Sequence, residues 1–290
     1  MILNWQYQIF NIETEGLGAY DMLMRILSSA IGLAILCVIL VTDKQMLYFA
    51  TAVVGVLGLK EFYDAMKKKS NPLSKTGLLF GAVYIMLIEI LNLYNTNFVI
   101  LILIMFLTVF TVIIVSYKEH NITDASITIT GFFYVCVLLS YVPLVRNLED
   151  GQLYVWLIFL VAWGSDTGAY LVGLTLGKAK LCPDISPKKT VAGAVGGILF
   201  SIIFVLVYMI ILIKYYQMNI DNYIAIALII GTVGSIISQL GDLLASTIKR
   251  YVEIKDFGEM IPGHGGVLDR FDSILFVAPF VYYIITIMML

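Results

Sequence analysis

Nine long apolar stretches constrain this chain more than any other feature of its sequence. Each comes close to the roughly 20 residues that a helix needs to cross a lipid bilayer. Where there is no water, every backbone amide must be hydrogen-bonded internally, and only helices and closed barrels achieve this. The stretches, with approximate bounds and a short second member, are 24–41, 46–59, 77–93, 98–115, 125–144, 153–176, 191–213, 223–240 and 274–290.

The fold class and the orientation follow from composition and charge. With 60% hydrophobic and 13% charged residues, the chain has too few polar residues to cover a water-soluble globule. We therefore predict an all-α, polytopic transmembrane protein with about nine spans. A cytoplasmic N-terminus would place most of the 18 lysines and arginines inside, leaving only Lys44, Arg146 and Lys214 outside, as cytoplasmic loops require. The prediction is a multi-pass protein of the cytoplasmic membrane whose active site faces the cytosol.

Polar residues separate the chain into two regions. Residues 1–150 are predicted to form about five spans, and residues 151–290 a transmembrane catalytic region with cytosolic site loops. In the first region the one notable acid within a span is Glu89, for which a role near a helix end is as reasonable as a functional one. The lysine run 67–69 is explained by topology more readily than by specific binding of anionic lipid headgroups.

The second region has an acid, Asp166, within the span 153–176, and a polar loop follows that span. A charge such as Asp166 is costly in a bilayer unless it faces a polar cavity or a cation. The loop 177–190 comes next, with four lysines, and opens into a glycine-rich helix start. Because free N–H groups and the helix dipole favour anions, this loop is a candidate triphosphate cradle. A solvated loop with ordinary small-residue helix packing is equally consistent.

The densest polar segment lies where the eighth span is expected to reach the cytosol. Residues spaced i, i+4, i+7 and i+8 share one helical face, and here they are Asp242, Ser246, Lys249 and Arg250. Asp269 and Asp272, three residues apart, begin the last span. Hard oxygen ligands from two helices suit Mg²⁺ and leave positions open for substrate phosphates. The pattern therefore predicts a metal and phosphate site at this edge of the membrane.

A glycine turn at 263–266 separates these two helices. Its glycines let backbone N–H groups approach a phosphate closely, and His264 lies within it. A lone carboxylate beside a cation is usually a surface pair. Several acids and cations, a histidine and a glycine turn within about thirty residues favour a functional site instead.

The segments 246–250, 255–258 and 261–273 resemble the signature of the phosphatidate cytidylyltransferase (CDP-diacylglycerol synthase) family. Segments 165–170 and 185–190 are similar to two further landmarks of that family. The resemblance covers roughly residues 155–290, and the earlier spans only by hydropathy. It implies cytidylyl transfer from CTP to phosphatidic acid, with release of pyrophosphate, in phospholipid biosynthesis. One departure is Ala192, where many relatives have glutamate, which puts a metal or helix-start role at this position in doubt.

The resemblance also implies roles for individual residues. Asp242 and Asp269 would hold Mg²⁺, with or without a second mono- or divalent cation. The candidate catalytic residues are Asp242, Asp269, Lys249, Arg250, His264 and Asp166. The candidate substrate-binding residues are Ser186, Lys188, Lys189, Thr190, Ser246, Lys255, Asp256, Gly265, Gly266, Arg270 and Asp272.

Two other functions fit parts of the pattern. A CTP-dependent kinase of a membrane alcohol would also need metal, lysines and a cytosolic site facing lipid. A transporter of ions or organic anions would also place acids within spans, but here the first half carries no inverted repeat of them. The expected partners are CTP, phosphatidic acid and membrane lipids, without nucleic acid, and a homodimer is left open.

Overall fold

The computed structural model describes residues 30–90, 96–261 and 265–288, most of which are helical. The elements in chain order are α1 (Ala30–Val41), α2 (Lys44–Met66), α3 (Ser74–Ile90), α4 (Thr96–Val115), α5 (Ile122–Gly131), a π-helical segment (Phe132–Val137), α6 (Tyr141–Arg146), α7 (Gly151–Leu176), β1 (Lys180–Cys182), β2 (Ser186–Thr190), α8 (Val191–Tyr215), α9 (Tyr223–Tyr251) and α10 (Leu268–Met288).

Each of the nine apolar stretches overlaps a helix in the described part of the chain. Six helices are long and apolar enough to cross a membrane: Lys44–Met66, Ile122–Arg146, Gly151–Leu176, Val191–Tyr215, Tyr223–Tyr251 and Leu268–Met288. Three apolar helices are shorter: Ala30–Val41, Ser74–Ile88 and Ile100–Val115. The helical membrane fold is therefore confirmed, whereas nine spans and a cytoplasmic N-terminus stay predictions.

Helices α7 and α8 pack together through glycines. A side chain at Gly168 would collide with the carbonyl oxygen of Gly196, and one at Gly173 would reach Thr190. The hydrophobic effect does not drive helices together in lipid, because lipid tails are as apolar as the side chains. Close van der Waals packing does, and small residues allow the backbones to approach. Glycine at these positions therefore allows α8 to lie close against α7.

Helix α9 is held against both of these helices by polar contacts. The Ser165 and Ser235 hydroxyls lie 2.8 Å apart, and the Gln239 amide donates to the Ala194 carbonyl oxygen at 3.1 Å. Buried hydroxyls and amides are costly unless they are hydrogen-bonded. These contacts fix the rotation of α9 just before the predicted site residues begin.

The all-α prediction needs one correction, in the lysine-rich loop. Strands β1 and β2 form an antiparallel hairpin, with Lys180 opposite Thr190 and Cys182 opposite Ser186. The Ile185 N–H donates to the Cys182 carbonyl oxygen at 3.2 Å and closes the turn. The hairpin pairs backbone groups of this loop with each other and needs no third element to do so.

The two regions of the chain meet at α10 and at the ends of α2 and α9. Helix α10 packs against α9, α7, α6 and α2. The Lys69 ammonium donates to the Glu253 carboxylate at 2.8 Å, and this hydrogen bond raises the pKa of Lys69 and lowers that of Glu253. Because both groups are exposed, we expect the pair to contribute little stability.

Candidate active site

An ion pair joins helix α9 to the hairpin. Lys189 is next to last in β2, and its ammonium lies 2.5 Å from an oxygen of Asp242. The other Asp242 oxygen lies 3.5 Å from the Ser246 hydroxyl. Both side chains of the pair are partly exposed, Lys189 by 24% and Asp242 by 31%. Asp242 therefore keeps an accessible oxygen beside a cation.

A second ion pair joins α9 to the start of α10, and it is buried. The Lys249 ammonium lies 2.7 Å from Asp269 Oδ1, with side-chain exposures of 11% and 2%. Asp269 Oδ2 accepts hydrogen bonds from the Phe257 N–H at 2.8 Å and the Gly266 N–H at 3.1 Å. The ammonium also lies 5.5 Å from the centre of the Phe257 ring. Three donors thus fix the Asp269 carboxylate.

The chain between α9 and α10 folds back on itself around these groups. The Ile261 N–H donates to the Gly265 carbonyl oxygen at 2.9 Å. Gly265 has φ +85°, a left-handed conformation that favours glycine. A side chain there would also contact Asp256. His264, predicted as catalytic, lies outside the described residues.

Two further carboxylates from α7 and α10 approach Asp242. The Asp166 side chain lies on the surface of the helices, and Asp242, Lys189 and Arg270 are its charged neighbours. The charged neighbours of Asp272 are Asp242, Lys249 and Asp166. Three acids from three helices therefore share one electrostatic environment with these lysines and the arginine. Such like charges need a cation or a proton nearby.

The hairpin presents its polar residues in different directions. Lys188 is exposed, whereas Lys189, one residue further along the strand, points towards Asp242. Thr190 ends the strand and caps α8, its hydroxyl accepting the Gly193 N–H at 3.1 Å. Ser186 pairs with Cys182 at the turn. At the predicted triphosphate site, the structure therefore has the capped N-terminus of α8 beside one lysine, Lys189, that points towards Asp242.

Some predicted residues lie at the edge of this cluster. Arg250 is exposed, and its guanidinium donates to the carbonyl oxygens of Ile185 and Ile254, each at 3.3 Å. It braces the hairpin turn against the chain that follows α9. Lys255 and Asp256 are exposed in that same chain. Within the described residues, neither side chain forms a hydrogen bond or an ion pair with the two ion pairs described above.

The chemistry of the cluster suits a hard cation. Within the described ranges, no three histidine, cysteine or acidic side chains are grouped closely enough to form a metal site by themselves. Mg²⁺ is usually held by one or two carboxylates, with waters and substrate phosphates completing its octahedron. The accessible oxygen of Asp242 meets that requirement. Any metal here would therefore depend on substrate oxygens.

Two residues near the site were missed in the sequence. Glu61, on α2, accepts hydrogen bonds from the Val267 and Leu268 N–H groups at 3.0 and 2.8 Å. The second apolar stretch ends at residue 59, so hydropathy leaves Glu61 outside the span and singles out Glu89 as the acid within one. The Glu89 side chain lies outside the described part.

Tyr134 is the other missed residue, and it lies in the π-helical segment. Its hydroxyl is buried without a hydrogen-bond partner among the described residues, and its charged neighbours are Asp272, Asp242 and Asp269. Single π-helical turns within α-helices are often found at functional sites. Nothing distinguishes it in the sequence from the other 17 of the 18 tyrosines.

Comparisons with known proteins identify the family of the chain. Residues 23–288 of the chain match the cytidylyltransferase family. A phosphatidate cytidylyltransferase of Bacillus subtilis is 43% identical over 155 residues, which cover 53% of this chain and 55% of that protein. One of Staphylococcus saprophyticus is 43% identical over 57% of this chain and 61% of its own length. These alignments thus span little more than half of both relatives. One of Staphylococcus epidermidis is 34% identical over 89% of this chain and 96% of its own.

Proposed function

This chain belongs to the cytidylyltransferase family, and on that premise we propose that it transfers the cytidylyl group of CTP to phosphatidic acid. The products would be CDP-diacylglycerol and pyrophosphate. Relatives named phosphatidate cytidylyltransferase support this choice of substrates. The observation that carries the proposal is the pair of ion pairs, Lys189 with Asp242 and Lys249 with Asp269, at the meeting of the hairpin, α9 and α10.

The reaction needs no covalent intermediate on the protein. An oxygen of the phosphatidic acid phosphomonoester attacks the α-phosphorus of CTP, and the bond between that phosphorus and the α–β bridging oxygen breaks. The bridging oxygen leaves with the pyrophosphate. Two anions must be brought together, so catalysis consists of alignment and of stabilising charge on the leaving group. Lysine and arginine donors are suited to both tasks.

The cations of the site are proposed to bind the phosphates. Lys189 makes contact with one carboxylate, and its buried ammonium nitrogen has no further hydrogen-bond partner in the described part of the chain. It therefore retains donors for a phosphate oxygen. Arg270 is exposed in the first turn of α10 and belongs to the same charged group as Asp166. We assign the phosphates to Lys188, Lys189, Lys249, Arg250 and Arg270.

Asp242 and Asp269 are the residues that would hold Mg²⁺. The exposure of the Asp242 side chain supports its part of this assignment. Asp269 Oδ1 is paired with the Lys249 ammonium, so Asp269 would bind the metal only where the metal takes the place of that ammonium. When bound, the metal would polarise the phosphoryl oxygens and neutralise charge on them. The grouping of Asp166 and Asp272 with Asp242 favours a second mono- or divalent cation.

Supporting roles are proposed for the remaining polar residues. Ser246 lies beside Asp242, and Thr190 orients the N-terminus of α8. The other assignments follow the sequence alone, and they concern Ser186, Lys255, Asp256, His264, Gly265 and Gly266. The excess of lysine and arginine on one side supports a cytosolic site in the cytoplasmic membrane.

The decisive experiment is product analysis with the purified protein in detergent. CTP labelled at the α-phosphate would be incubated with phosphatidic acid, with and without Mg²⁺. We expect labelled CDP-diacylglycerol and an equal amount of unlabelled pyrophosphate. Neither product should form without phosphatidic acid. Release of CDP together with an unlabelled phosphorylated lipid would refute the proposal and favour a CTP-dependent kinase.

A further inference from the structure

Glu61 reaches the start of the last helix from the opposite end of the chain. It lies on α2 and is 7% exposed. Its two carboxylate oxygens accept the Val267 and Leu268 N–H groups, at 3.0 and 2.8 Å. The first N–H groups of a helix have no acceptor within that helix, and they attract negative charge. Glu61 therefore caps α10 from another helix.

The backbone closes around this carboxylate at two glycines. A Cβ atom at Gly258 would lie 2.5 Å from Glu61 Oε1, and one at Gly266 would lie 2.6 Å from Oε2. Contacts this short require the carboxylate to move. Glycine at both positions thus allows Glu61 to occupy the gap between the chain after α9 and the chain before α10.

The same two chain segments hold Asp269. Its Oδ2 accepts N–H groups from Phe257 and Gly266, which are the neighbours of Gly258 and Val267. One carboxylate therefore binds the N–H of residue 266, and the other binds those of residues 267 and 268. Together they clamp the turn, and Asp269 Oδ1 is left facing Lys249 at 2.7 Å.

We propose that Glu61 is a positioning residue of the cytidylyl-transfer site. It touches neither substrate, and it acts by fixing the turn that orients Asp269 and Lys249. The expected change in activity rests on the proposed function. The expected change in hydrogen exchange rests only on the geometry of the turn. Its loss should lower turnover in protein that is still folded.

The test compares Glu61→Gln with Asp124→Asn. Gln keeps the shape of the side chain but turns an amide N–H₂ towards one backbone N–H, so one hydrogen bond is lost. Asp124 is a matched control, because it is 1% exposed and also binds backbone N–H groups, of Asn71 at 2.7 Å and Asn121 at 2.9 Å. It lies in α5, away from the site.

We expect Glu61→Gln to lower kcat per folded molecule at least tenfold, with KM for CTP changed less than threefold. Asp124→Asn should keep kcat within twofold. Hydrogen exchange of the amides of residues 257–268 should speed up in Glu61→Gln and not in Asp124→Asn. Equal kcat losses in the two variants, or a normal kcat in Glu61→Gln, would overturn the proposal.

A second variant keeps the test independent of whether Glu61→Gln folds. Gly258→Ala displaces the carboxylate without removing it, so it should reproduce the loss of kcat and the faster exchange. Unchanged kcat and exchange in Gly258→Ala would contradict the inference. If the unsubstituted protein makes no CDP-diacylglycerol, the proposed function fails, and the exchange measurement still decides whether Glu61 orders the turn.

Discussion

Substitutions at Lys249 and Asp269, which form a buried ion pair, should have coupled effects on the free energy of unfolding. Lys249→Met would leave a carboxylate with 2% exposure and only two N–H donors. Removing one partner of a buried pair costs about 3–5 kcal/mol, and the two remaining donors place the cost near the lower end. In Asp269→Asn, the amide either turns its N–H₂ towards the ammonium or towards two backbone N–H groups. Each unsatisfied buried group costs about 1–3 kcal/mol.

The double variant should be less damaged than the sum of these losses. With Met and Asn together, no unpaired charge remains in the buried site. We therefore expect a coupling free energy of about 1–3 kcal/mol, within the range for residues in direct contact. Unfolding would be followed by tryptophan fluorescence in mixed micelles as the fraction of denaturing detergent rises. Lys178→Met, at an exposed lysine just before the hairpin, should change stability by less than about 0.5 kcal/mol. Additivity within about 0.5 kcal/mol would refute the reasoning.

Three further substitutions test other parts of the structure. Lys189→Ala should raise KM for CTP at least tenfold in steady-state kinetics, whereas Lys178→Ala should leave it unchanged; an unchanged KM in Lys189→Ala would point to a topological role for Lys189. Gly168→Ala should lower the thermal midpoint, because overpacking costs about 1–3 kcal/mol, whereas Gly32→Ala, with open space around it, should not; equal midpoints would contradict the packing. Ala192→Glu, in a first turn without acids, should stabilise α8 by about 0.3–1 kcal/mol. A tenfold gain in turnover would instead place that acid in the active site.

Hydropathy predicted the helices well, and it failed at their ends. An apolar stretch marks the part of a helix that contacts lipid, but the helix continues where hydrogen bonding continues. Helix α9 runs to Tyr251, well past the apolar limit at residue 240, and that extension carries Asp242 and Lys249. Helix α2 runs to Met66 and carries Glu61. In both cases the chemistry lies on the part of the helix that hydropathy left out.

Spacing predicted which residues share a helical face, but not which partners they take. Asp242, Ser246 and Lys249 do point into one cluster, whereas Arg250 turns away and braces the hairpin. The pairing of Asp242 with Lys189 depends on the hairpin, which hydropathy treats as a loop. The contact of Glu61 with Val267 joins residues 206 positions apart. No local pattern contains information about such a contact.

The Glu61 contact also affects the order in which the protein can be assembled. During synthesis the acid emerges 206 residues before Val267, so a growing chain carries it without the N–H groups that bind it in the finished fold. Only insertion of α10 supplies them. The last helix therefore completes the structure, and a nascent chain that stalls before it carries the Glu61 carboxylate without the N–H groups that bind it.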